Sequence, residues 1–126
     1  MEIIILPDSQ KASRLCAEVI DRAIRAKPDL VLGLATGSTP VPMYRDLIRR
    51  HREEGLDFSK VRSFNLDEYL GLPPDHPASY RRFMDEQLFD HINIPKSSTR
   101  LPDGMTKDIA AHCAAYEAEI RAAGGI

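Results

Sequence analysis

The run "LVLGLA", Leu30 to Ala35, constrains this chain more than any other stretch. Its residues are apolar or glycine without a polar break, and turn-forming residues bound it on both sides. A strand with one face in water would alternate, whereas a continuous run suits a parallel strand covered on both faces. A parallel strand needs a crossover to its neighbour, usually a helix. The residues that follow supply one: after "TGSTP", Met43, Tyr44, Leu47 and Ile48 recur at three- and four-residue spacing, the stripe of an amphipathic helix. "RRHREE" reads as the solvated end of that helix, and Gly55 stops it.

The same alternation extends in both directions. "EIIIL" (Glu2–Leu6) is short, rich in β-branched residues and ended by Pro7, which predicts a buried strand. Asp8 or Ser9 can cap the helix after it, where Ala12, Leu15, Cys16, Val19, Ile20, Ala23 and Ile24 share a face up to the break at Pro28. "VRSFNL" (Val61–Leu66) predicts a third strand, and Asp67–Pro77 a long loop with three prolines and a glycine. Ser79 can cap a helix carrying Tyr80, Phe83, Met84 and Leu88. After a connection with a short extended piece near Arg100 and Leu101, Ile109, Cys113, Tyr116 and Ile120 mark a fourth helix, ended by "AGG". The order β-α-β-α-β-α-α predicts an α/β fold, a doubly wound parallel sheet with flanking helices. The pattern stops where a fourth strand should begin. Either the sheet is small, or residues 1–126 are the N-terminal part of a longer single domain, truncated after the fourth helix. Its open edge invites self-association, so a homo-oligomer is an available partner state.

Composition excludes several classes of function. A net charge of -2, with both signs spread along the chain, gives no basis for nucleic-acid or membrane-surface binding. No apolar run approaches the roughly 20 residues of a membrane span, and the acidic start is unlike a secretory leader. The expected location is cytoplasmic. Cys16 and Cys113, each on an apolar helical face, read as buried reduced thiols. His51, His76, His91 and His112 show no metal-ligand spacing, so no metal is expected.

Two motifs carry chemistry. "ATGSTP" lies at the C-terminal end of a parallel strand and at the start of a helix, the edge where open α/β sheets bind ligands. First-turn amides and the helix dipole favour an anion there. Gly37 allows close backbone approach, Thr36, Ser38 and Thr39 offer hydroxyls, and Pro40 suits the first helical position. No lysine follows as in a nucleotide-binding GxxxxGK[ST] loop, which favours a compact sugar phosphate. The same residues equally suit a hydroxyl-capped helix after a tight glycine turn. The second motif, "NLDEYLGL", puts Asp67 and Glu68 just after the third strand, at the same edge. A carboxylate beside a phosphate is unfavourable unless it has a task, and proton abstraction next to a carbonyl or imine is one; a turn residue is the plainer reading. Asn65 and Glu68 read as supporting residues behind the loop. His76, Arg81 and Arg82 are weaker candidates, better explained as turn or solvated residues. Tyr80 and Phe83 read as core.

In order, "LGLATGSTPVPMY", "FNLDEYLGL" and "HPASYRRFM" resemble the N-terminal half of the glucosamine-6-phosphate deaminase (isomerase) family. The resemblance covers nearly the whole chain and implies a Rossmann-like fold, a small amino-sugar phosphate as the partner, and no cofactor. The implied reaction converts glucosamine 6-phosphate and water into fructose 6-phosphate and ammonia. It implies Asp67 as the base that moves a proton between C2 and C1 of the opened sugar, with Thr36, Gly37, Ser38 and Thr39 on the phosphate. The related 6-phosphogluconolactonases share the loop but tend to carry Asp-Glu-Arg where this chain has Asp67-Glu68-Tyr69. A lactonase-like hydrolase and a non-catalytic sugar-phosphate sensor are the alternative readings. The family's ring-opening histidine, in a Gly-His-Ile-x-Phe-Asn-Glu-Pro block, has no counterpart in residues 1–126. The resemblance therefore implies little activity for this stretch alone.

Overall fold

A computed structural model describes residues 3–126. Three parallel strands, β1 (Val31–Leu34), β2 (Arg62–Asn65) and β3 (Thr99–Arg100), lie in the order β1-β2-β3. Among the described residues four helices accompany them: α1 (Ser9–Ala26), α2 (Val41–Glu54), α3 (Tyr80–Gln87) and α4 (Ile109–Ala122). Two 3-10 turns, Phe89–His91 and Lys96–Ser98, lead from α3 into β3.

Register shows that the sheet is covered on both sides. Leu32 and Leu34 pair with Ser63 and Asn65, and so share one face. That face carries the main core, where Leu34 meets Ala17 and Ile24 of α1, Tyr44 and Leu47 of α2, and Met84 of α3. Val31 and Gly33 pair with Arg62 and Phe64 on the opposite face, which belongs to α4. There the Phe64 and Tyr116 rings meet edge to face at 5.7 Å, and Arg62 donates to the Ala123 carbonyl at 3.1 Å. The doubly wound Rossmann-like arrangement is therefore present.

Local signals explain most element ends. The Asp8 carboxylate accepts from the Lys11 amide at 2.7 Å and starts α1. Ser79 does the same for Arg82 at 3.1 Å and starts α3. Gly55, in the left-handed region, ends α2.

Four expectations are corrected. Ile3–Leu6 forms no strand; Ile3, Ile4 and Ile5 are exposed and no neighbouring chain offers them a ladder, while Glu2 lies outside the described residues. Cys16 and Cys113 are exposed rather than buried. The buried seam of α1 runs through Ala17, Asp21 and Ile24, turned away from Cys16 and Val19. Asp21 sits in that seam because Arg25 (2.5 Å) and Arg50 (2.8 Å) pair with it, joining α1 to α2. On α4 no residue is buried, so its apolar stripe lacks the cover its spacing suggested. Pro40 is the residue before α2 rather than its first, and Val41 and Pro42 open the helix.

Candidate functional site

Leu34 and Asn65 are register partners at the last rung of β1 and β2. Thr36 and Asp67 each follow two residues beyond, so the two loops leave the same edge side by side. The Asn65 side-chain amide, buried, donates to the Leu34 carbonyl at 3.0 Å and fixes this last rung. On the α4 side, the Tyr116 hydroxyl lies 2.8 Å from the Asn65 carbonyl and 3.1 Å from that of Arg100, joining the ends of β2 and β3. Burial pushes the Tyr116 phenol up to about 12, against the opposing pull of its bond to Asn65.

The Thr36–Thr39 loop is held at its base by Tyr44. That hydroxyl accepts from the Ala35 amide at 3.1 Å and donates to the Ala35 carbonyl. The phenol is buried, and burial raises its pKa to about 12, partly offset by the Ala35 bond. Gly37 has φ +92, in the left-handed region that favours glycine. Among the described residues no side chain caps α2, so the hydroxyl-capped helix among the sequence alternatives is not what forms. Among the described residues, the amides of Gly37, Ser38 and Thr39 donate to no other protein group. Exposed amides in a glycine turn at a helix N-terminus can receive an anion.

Asp67 is exposed, and its carboxylate has no protein hydrogen bond among the described residues. Glu68 points the other way. One oxygen accepts from the amides of Tyr69 (2.8 Å) and Tyr80 (2.9 Å), the other from Arg81 (2.9 Å). A carboxylate at the start of α3 satisfies otherwise unpaired amides and complements the helix dipole. Glu68 thus ties the loop after β2 to α3. Gly104 closes the back of this loop: it approaches so near that an added Cβ would stand 2.3 Å from the Tyr69 carbonyl. The Gly104 carbonyl also accepts from the Gly71 amide at 2.7 Å.

Tyr80, expected in the core from its helical spacing, instead pairs with the exposed ring of Tyr69 beside the loop after β2. It packs on Tyr69 with centroids 4.7 Å apart, and the two hydroxyls are 3.1 Å from each other. The Tyr80 phenol is raised, first by its bond to Tyr69; the Thr36 hydroxyl opposes this and the nearby Asp67 charge adds to it. The signal available in the sequence was Ser79: a capped helix start places the next residue at the sheet edge. The weaker candidates are engaged elsewhere. Arg81 pairs with Asp85 and donates to the Thr99 hydroxyl at 2.8 Å; Arg82 pairs with Glu86. His76 accepts from the Ala78 amide at 3.1 Å within its own turn. Among the described residues, no three His, Cys, Asp or Glu side chains gather to hold a metal ion.

A parallel α/β sheet with a glycine loop at a helix N-terminus and a carboxylate at the same edge belongs to the class of open α/β folds that take ligands at that edge. The chain belongs to the family described as glucosamine-6-phosphate isomerases/6-phosphogluconolactonase, whose model matches residues 9–125. It is similar to glucosamine-6-phosphate deaminases of Arthrobacter sp. (strain FB24) and Shewanella loihica, 52% and 53% identical over the whole chain. It spans 48% and 47% of their lengths, so it covers about half of these relatives. Among solved structures it is similar to a monomeric glucosamine-6-phosphate deaminase, with a TM-score of 0.96, 39% identity, and coverage of 99% of this chain and 52% of the other. The 6-phosphogluconolactonase of Thermotoga maritima shares the fold at a TM-score of 0.73 and 24% identity, over 95% of this chain and 53% of that one.

Proposed function

We propose that this chain is the N-terminal part of a single cytoplasmic domain about twice its length. That domain converts glucosamine 6-phosphate and water into fructose 6-phosphate and ammonia. The observation that carries the reading is the shared edge: Thr36–Thr39 and Asp67 leave adjacent parallel strands two residues past one paired rung. The helix N-terminus and loop amides hold the 6-phosphate, and Asp67 reaches the other end of the opened sugar. Its free carboxylate removes a proton from C2 and delivers one to C1. Anchoring one end of the substrate and placing the base at the other lowers the barrier by orientation. Relatives near 50% identity are named as deaminases, which favours this reading over a lactonase.

Ammonia release from glucosamine 6-phosphate by the longest natural form of the chain is the test. Asp67→Asn should reduce turnover by about 10²–10⁴-fold while sugar-phosphate binding persists. Unimpaired turnover would falsify the role of Asp67. Residues 1–126 alone should release little ammonia, and full turnover by them would show that the ring-opening group lies within this stretch.

A further inference from the structure

Asp67 has little of its own to hold it. Its carboxylate has no protein hydrogen bond among the described residues, and Leu66 before it is 89% exposed. Neither residue is buried, so the place of this pair is set by its ends. At one end stands Asn65, buried and bonded to the Leu34 carbonyl at 3.0 Å. At the other stands Glu68, whose carboxylate accepts from the amides of Tyr69 (2.8 Å), Tyr80 (2.9 Å) and Arg81 (2.9 Å). Hydrogen bonds to a carboxylate are the stronger kind. Only Leu66 and Asp67 lie between these anchors, and so short a span keeps little freedom once both ends are fixed.

The Glu68 anchor has a brace behind it. Gly104 is buried in the loop after β3. A Cβ added there would stand 2.3 Å from the Tyr69 carbonyl oxygen, 3.0 Å from that of Leu72 and 3.3 Å from Cγ of Glu68. The Gly71 amide donates to the Gly104 carbonyl at 2.7 Å and holds the two loops at that spacing. Gly104 is not in the left-handed region, so what calls for glycine there is space and not backbone shape.

We infer that Glu68 and Gly104 are positioning residues for the reaction: together they fix where Asp67 stands relative to the Thr36–Thr39 loop. This rests on the reading of Asp67 as the base and of that loop as the phosphate site. The loop is held separately, by Tyr44 at Ala35. Disturbing the brace therefore moves the base and spares the phosphate anchor. Proton transfer depends steeply on where the base stands, whereas a phosphate ion needs only the loop.

Steady-state ammonia release from glucosamine 6-phosphate, with calorimetry of inorganic phosphate, tests this on the longest natural form of the chain. Glu68→Gln keeps the shape but turns a donor toward part of the amide set. Its kcat should fall about ten-fold, with KM and phosphate affinity little changed. Gly104→Ala adds a methyl group and no chemistry, and forces the Tyr69 carbonyl away. Its kcat should fall by about 10²-fold. The double variant should lose less than the product of the separate losses, because both act on one anchor. Where Gly104→Ala does not fold, Glu68→Gln decides. Unchanged kcat in Glu68→Gln overturns the inference. So does an equal loss of phosphate affinity, which marks damage reaching the loop. Asp67→Asn, assayed in parallel, keeps the readings apart. Its retained turnover removes the base, and the inference with it. Its inactivity beside a normal kcat in Glu68→Gln removes the brace and leaves the base standing.

Discussion

The side-chain amide of Asn65 lies 3.0 Å from the carbonyl of Leu34, joining the ends of two parallel strands where the peptide ladder stops. Asn65 is buried, and its side-chain oxygen, Oδ1, finds no protein partner among the described residues. Asn65→Ala removes the bridge and leaves the Leu34 carbonyl short of a donor. The expected cost is about 1–3 kcal/mol, read as a lower urea midpoint with an unchanged slope. The Asp67 and Thr36 loops should also splay, so KM should rise more than kcat falls.

Tyr44 gives the fold an alkaline limit. Burial pushes its phenol up to about 12 in the folded chain, from the 10.0 of a free tyrosine side chain. The fold favours the neutral phenol, so this contribution is complete below about pH 10 and is lost as pH rises through about 12. At roughly 1.4 kcal/mol per unit, it amounts to about 2–3 kcal/mol. Unfolding free energy should therefore fall between these pH values. Tyr44→Phe should cost about 1–3 kcal/mol at pH 8, because both polar groups of Ala35 lose their partner. It should also flatten the alkaline decline, with Tyr116 retaining part of it. A decline of unchanged steepness in Tyr44→Phe would place its origin elsewhere.

Gly37 separates backbone shape from space. A Cβ there meets nothing within 4 Å, yet φ is +92. Gly37→Ala should cost about 1–2 kcal/mol through the backbone alone. If the loop relaxes instead, stability is spared, and affinity for inorganic phosphate should fall. An alanine variant unchanged in both measurements would show that the turn has no need of glycine.

Much of the architecture is readable from two runs. Leu30–Ala35 is an unbroken run of apolar residues and glycine, Val61–Leu66 sets Val61, Phe64 and Leu66 among polar residues, and the helical stripe between the two leaves little choice but parallel strands. The caps Asp8 and Ser79 and the stop at Gly55 are equally local, so the sequence marks them well. What escapes is anything needing a distant partner. Ile3–Leu6 has strand composition, but a strand exists only against a neighbour, and Ile5 is 90% exposed. Asp21 looks like a surface acid until Arg50, from another helix, reaches it. Periodicity rightly turns Ile20 and Ile24 of α1 toward the core, but it adds Cys16 and Val19, which stay exposed.

The site divides the same way. Glycine at 37 and the carboxylates at 67 and 68 are visible as residue types after strands. That Glu68 turns back to the start of α3 depends on where α3 docks. Helical spacing points Tyr80 to the core, because aromatic residues in such a stripe usually go there. Its position as first residue of a capped helix outweighs the stripe.

The Tyr44–Ala35 clasp has an entropic consequence. Its two ends are nine residues apart and close a ring around Thr36–Thr39. That loop gives up its backbone freedom when the chain folds, not when an anion arrives. An anion settling there orders little new chain, and more of its interaction energy remains as affinity.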